Sequence, residues 1–171
     1  MTPSSPTSTT LPETAILQSH FKAVNQLKGG ASWFYWIAGL SLINSLILLA
    51  GSDWNFLIGL GLTQVFDAIA KILSAEMNST AGLIIKAIAF LLDLGVAGLF
   101  VLFGWLAKKR YAWAFIVGMI LYALDGLIFV LVGSWLSVGF HAFALFGLYG
   151  GLKAIYMLRR LPQLPPLAGQ Y

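Results

Sequence analysis

The 171-residue chain contains no cysteine. Disulfides, thiol catalysis, iron–sulfur clusters and cysteine zinc sites are therefore excluded. Charge is scarce as well. Asp, Glu, Lys and Arg make up 9% of the chain, against about 25% in a typical soluble domain. Hydrophobic residues make up 59%, and mean hydropathy is +0.86. A soluble protein of this size needs far more polar surface to cover itself. A soluble enzyme, a disordered regulator and a free nucleic-acid binder are thereby excluded. Catalytic signatures are also missing: no Gly-x-Ser-x-Gly, His-Glu-x-x-His, P-loop or dinucleotide Gly-x-Gly-x-x-Gly pattern occurs in a suitable context.

What is present reads as an all-α integral membrane protein. Four stretches are long enough to cross about 30 Å of hydrocarbon at about 1.5 Å per residue. They run over residues 31–51, 81–107, 111–133 and 136–158. Trp33, Trp36, Trp54, Trp105, Trp113 and Trp135 fall near the ends of these stretches, as an interfacial aromatic belt requires. The pairs Gly147–Gly151, Ala114–Gly118 and Ser41–Ser45 have the four-residue spacing of small residues that lets helices approach closely.

Two further segments read as amphipathic and interfacial. Residues 1–10 are a Ser/Thr/Pro-rich tail, expected to be disordered. Residues 11–30 carry an apolar stripe of Ile16, Leu17, Phe21, Val24 and Leu27. Thr10 and Glu13 have capping-box spacing, and Gly29-Gly30 read as the helix end. Residues 54–74 are ambiguous. Gln64, Asp67, Lys71 and Ser74 form a polar stripe opposite Ile58, Leu62, Val65, Ile69 and Ile72. If the segment lies flat on the outer surface, four helices span and Asp67 and Lys71 are its solvated face. If it crosses, five helices span and both residues join a buried polar set.

Basic residues favour four spans. Lys22, Lys28, the Lys108–Arg110 cluster, Lys153, Arg159 and Arg160 then all lie on the cytoplasmic side, with a cytoplasmic N-terminus and a short cytoplasmic tail at 159–171. The net charge of +4 is explained by this anchoring and needs no nucleic-acid partner. The chain resembles the small multi-span membrane proteins found in many bacteria. That resemblance implies a bacterial plasma membrane and adds no site residue.

A charge near the bilayer centre costs about 2.5–3.5 kcal/mol on insertion scales, so intramembrane polar residues need a reason. Asp93 precedes Lys108 by 15 residues, and Asp125 follows Arg110 by 15. On an antiparallel hairpin both carboxylates reach the same depth, about 22 Å from the basic turn. Asn44 and His141 fall near that layer, and Lys86 lies two turns outward from Asp93. The candidate site is therefore Asp93, Asp125, His141, Asn44 and Lys86. One reading is proton or cation handling by a carboxylate pair. The other is structural: Asp93 pairs with Lys86, and the rest bond between helices. A metal set of Asp93, Asp125 and His141, or a pigment ligated by His141, lacks supporting spacing, so no metal and no cofactor is expected. The function expected first is a non-enzymatic accessory or assembly subunit of a membrane complex. A small proton or cation transporter, or a channel-like protein, is the alternative. Expected partners are the lipid bilayer, other membrane subunits or further copies of the chain.

Overall fold

The computed structural model describes residues 10–50 and 59–161. Five helices follow in order: α1 (Thr10–Leu49), α2 (Gly61–Ala75), α3 (Ser79–Lys108), α4 (Ala112–Leu131) and α5 (Trp135–Arg160). No proline occurs between Pro12 and Pro162, so nothing in the sequence removes an internal helical hydrogen bond. Four of the five helices, α1, α3, α4 and α5, are long and apolar enough to cross a membrane. α2 has 15 residues, too few for a span. The expected all-α bundle with four membrane helices is the architecture found.

The neighbouring long-helix pairs α1–α3, α1–α5 and α4–α5 are antiparallel. Along α1 and α3, Tyr35 lies under the Lys108 ammonium, while Ser45 neighbours Asp93. Along α1 and α5, Gly30 faces Gly151 and Trp33 covers Gly147. Along α4 and α5, Phe115 meets Gly151 and Asp125 meets His141. The core is aromatic. Phe34 is fully buried, with ring centroids of Phe100, Phe103 and Phe115 at 6.2, 6.0 and 5.7 Å. Large apolar side chains such as Leu91, Leu124 and Phe146 point outward. That inversion suits a lipid solvent.

Tight turns close the two hairpins. After α3, Arg110 takes φ +68. Its amide bonds Ala107 O and that of Tyr111 bonds Leu106 O. After α4, Gly133 takes φ +71, with the same bond pattern onto Val130 O and Phe129 O. Both are left-handed helix stops that satisfy the last carbonyls. Asn78 is the N-cap of α3, its Oδ1 accepting from Ala81 N at 2.9 Å.

Two placements differ from the sequence expectation. No helix end occurs at Gly29-Gly30; α1 runs through it as one helix of 40 residues, about 60 Å long. The physical reason is close packing. A Cβ on Gly151 would stand 2.9 Å from Gly30 Cα, so Gly30 is a point of helix–helix approach and not a cap. The amphipathic segment is thus the first half of α1, with Leu27 of its apolar stripe and the nearby Ala23 buried.

The other difference is α2. It does not lie flat. Phe66, Ile69, Ala70 and Leu73 share a groove with Ile85, Ile88, Ala89 and Leu92 of α3, and Gly82 makes room for Ser74. α2 therefore runs antiparallel alongside a spanning helix. Its start is buried, with Leu60 at 1% exposure and Thr63 at 0%, whereas Ile69 and Ile72 face outward. The chain that leads into it, including Trp54, lies outside the described residues, as do the N-terminal tail and residues 162–171. The side chains of Thr10 and Glu13 are outside them too.

Candidate intramembrane polar site

The site begins with the orphan amides of α2. A helix start leaves four backbone N–H groups without intrahelical partners. In lipid or in a protein interior each must find an acceptor. α2 has no side-chain cap of its own. Its neighbours supply the acceptors. Ser41 Oγ of α1 accepts from Leu60 N at 2.7 Å, while donating to Ile37 O at 2.9 Å. Asp125 of α4 accepts twice: Oδ2 from Gly61 N at 2.7 Å and Oδ1 from Leu62 N at 2.8 Å. Asp125 is a cap delivered in trans, and its negative charge sits at the positive end of the α2 dipole. Asn44, 3% exposed, flanks the approach to the helix: a Cβ on Gly59 would stand 2.8 Å from Asn44 Nδ2.

His141 completes this corner. Its Nδ1 is 2.9 Å from Ser137 O, an acceptor only, so Nδ1 carries hydrogen. Its Nε2 is 3.0 Å from Asp125 Oδ2. α4 shapes the pocket for that ring. Tyr122, Asp125 and Phe129 share one helical face. Tyr122 stacks on the imidazole, centroids 4.3 Å apart and planes at 15°. Phe129 approaches at 5.0 Å. Gly126 leaves the space, since a Cβ there would stand 3.1 Å from His141 Cδ2. Asp125 and His141 are thus brought together as the sequence anticipated, but on a structural task that accounts for every polar atom they present.

Asp93 is elsewhere. It is 0% exposed, and its polar neighbours are Ser45 of α1 and Asp67 of α2. Neither carboxylate oxygen, nor Ser45 Oγ, makes a hydrogen bond of good geometry, although Ser45 and Asp67 stand within polar reach of the Asp93 carboxyl. The expected pairing of Asp93 with Lys86 does not form: Lys86 is exposed, and Asp93's oxygens remain unpartnered. Nor does Asp93 join Asp125 in one carboxylate pair. Helix rotation separates them, because Asp125 turns towards α2 and α5 while Asp93 turns towards α1 and α2. Among the described residues no three His, Asp or Glu side chains group closely enough to hold a metal ion.

Sequence reasoning passed over three contributors and left Asp67 open between a solvated face and a buried polar set. Asp67 is half-buried and neighbours Asp93 and Ser45. Ser41 and Ser45, read as a packing pair, hold a cap and face a carboxylate. Tyr122 is fully buried with an unpartnered hydroxyl. One signal was available: Ser41, Asn44 and Ser45 form a polar stripe on an otherwise apolar span. No protein-family profile, curated protein or solved structure matches the chain.

Proposed function

We propose that this protein is a small, non-enzymatic, multi-pass protein of a bacterial plasma membrane that binds and passes a proton or small cation through the Asp93–Asp67 carboxyl pair. One observation carries the reading: both oxygens of the fully buried Asp93 lack partners beside a second carboxyl group. An unpaired buried carboxylate is heavily penalised. A proton or a cation relieves that penalty, and two adjacent carboxyls readily share one. α2 supports the role. It starts inside the bundle, anchored by Asp125 and Ser41, and carries Asp67 to the side of Asp93.

Reconstitution in liposomes tests this. Under an imposed gradient, a pH-sensitive dye should report proton entry above empty vesicles. Asp93→Asn should abolish most of it and Asp67→Asn should reduce it strongly, whereas Lys86→Gln should leave it unchanged. Equal flux from wild type and Asp93→Asn overturns the proposal, as does wild-type flux no greater than that of empty vesicles.

A second reading has its own support. Phe21 and Leu17, on the first half of α1, are 70% and 45% exposed, beyond the stretch that packs among the spanning helices. An apolar patch there suits a partner subunit of a larger membrane complex, the accessory role. Co-purification of a stoichiometric partner that is lost with Phe21→Glu supports that reading.

A further inference from the structure

Two buried carboxylates in this bundle meet opposite surroundings. Asp125 accepts from the amides of Gly61 and Leu62 and lies 3.0 Å from His141 Nε2. Donors meet its charge. Asp93 is 0% exposed and stands among oxygens, those of the Asp67 carboxyl of α2 and the Ser45 hydroxyl of α1. An ionised carboxylate accepts and cannot donate. A group of oxygens in a dry interior therefore calls for positive charge between them.

Ser45 marks the place independently of the two acids. A serine inside a helix can donate to the carbonyl four residues back. In α1, Ser19, Ser32 and Ser41 do so, at 2.9, 2.8 and 2.9 Å. Ser45 is 1% exposed, and its Oγ makes no such bond. Its hydroxyl stands instead within polar reach of both Asp93 and Asp67. A proton shared between two carboxyls needs no third oxygen. A desolvated metal cation does, because protein oxygens replace its hydration shell.

The donor set narrows the ion. Every ligand atom is a hard oxygen, which sets aside zinc, copper and nickel. Calcium takes about 6–8 oxygens, more than two carboxyls and a hydroxyl supply, and magnesium keeps several of its waters. The complete burial of Asp93 does not suit a hydrated ion. Potassium in channel filters takes rings of backbone carbonyls. Sodium, small and monovalent, fits the set best. Coupling-ion sites lie at membrane depth beside interrupted helices, and α2, which begins inside the bundle, brings Asp67 to such a place. Other charges stand apart. Residues 41–49 of α1 carry none, Lys71 and Lys86 are exposed, and Asp125 and His141 face each other at the start of α2.

We infer that Asp93, Asp67 and Ser45 hold a sodium ion at their carboxyl and hydroxyl oxygens, in competition with a proton. The inference rests on the reading of Asp93 and Asp67 as an ion site and names the ion.

Thermal unfolding of the full chain in detergent, with equal concentrations of sodium, potassium or choline chloride, tests it. Sodium should raise the wild-type midpoint by about 3–6 °C over choline, with potassium close to choline. Ser45→Ala and Asp93→Asn should each lose most of that rise, whereas Ser32→Ala keeps it. In choline, Ser45→Ala should unfold at the wild-type temperature, since the hydroxyl it removes makes no hydrogen bond of good geometry. Lowering the pH should weaken the sodium effect, by up to about tenfold in apparent affinity per pH unit, because a proton takes the oxygens that sodium needs. No rise in wild type, an equal rise in potassium or a full rise in Ser45→Ala overturns the inference. Proton flux into liposomes separates the two readings. Flux without a sodium effect overturns the sodium site and leaves a proton site; a sodium effect without flux supports the sodium site and overturns passage.

Discussion

Oδ2 of Asp125 lies 2.7 Å from the backbone nitrogen of Gly61, so a side chain from one spanning helix closes the first turn of a helix that does not span. The capping group and the capped amide are 64 residues apart. Broken and partial helices are tolerated at membrane depth where protein groups satisfy their open ends. Here the open end takes two amide bonds to one carboxylate and a third to Ser41. The same carboxylate holds His141, which ties α2, α4 and α5 at one point.

Asp125→Ala should therefore loosen α2 before it loosens the bundle. Each unsatisfied buried amide costs about 1–3 kcal/mol. Hydrogen exchange at Gly61 and Leu62 should accelerate by one to two orders of magnitude, roughly 1.4 kcal/mol per decade. Asp125→Asn keeps one acceptor oxygen and should fall between. Unchanged exchange in Asp125→Ala would mean that α2 is held by its contacts with α3 alone.

Glycines at the α1–α5 crossing and beside it should respond with opposite sign. Gly30 and Gly151 have backbone within touching distance across the helix crossing, whereas a Cβ on Gly29 meets nothing within 4 Å. Gly151→Leu should destabilise the protein by about 1–3 kcal/mol through overpacking against Phe115 and Gly30. Gly29→Ala should stabilise it by about 0.5–1 kcal/mol, because Gly weakens a helix interior. Thermal unfolding in detergent measures both. Destabilisation by Gly29→Ala would place a helix stop where α1 is continuous.

Orientation can be read with a single thiol, since the chain has none. Four spans with the basic ends in the cytoplasm put the N-terminus there too. Ser5→Cys should react with an impermeant maleimide only after the membrane is opened. Labelling of intact cells would reverse the orientation.

Part of this molecule was legible before any coordinates. The four spans agree with α1, α3, α4 and α5, and the hairpin turns fall where a basic cluster and a glycine interrupt apolar runs. Asp125 and His141 were assigned to one layer by counting residues from the cytoplasmic boundary, and they do meet. The same counting put Asp93 with Asp125 and Lys86, and it failed there because depth says nothing about rotation. Asp93 faces Ser45 and Asp67 because aromatic packing around Phe34 sets how α3 is turned against α1.

The amphipathic segment 54–74 shows the limit most clearly. Its polar stripe was correct, but a stripe has no built-in direction. In water the polar face turns out. Here Asp67 turns inward beside Asp93, while Lys71 stays exposed.

Composition and hydropathy by themselves determined the all-α class, the apolar surroundings and the four long apolar stretches, because each depends on local transfer free energies summed along the chain. Tertiary structure alone decided which buried groups became partners. It made Asp125 a cap, left Asp93 bare beside Asp67 and turned Gly30 into a crossing point. Those outcomes depend on helix rotation and on approach distances of a few ångströms, which arise only when all the helices pack together.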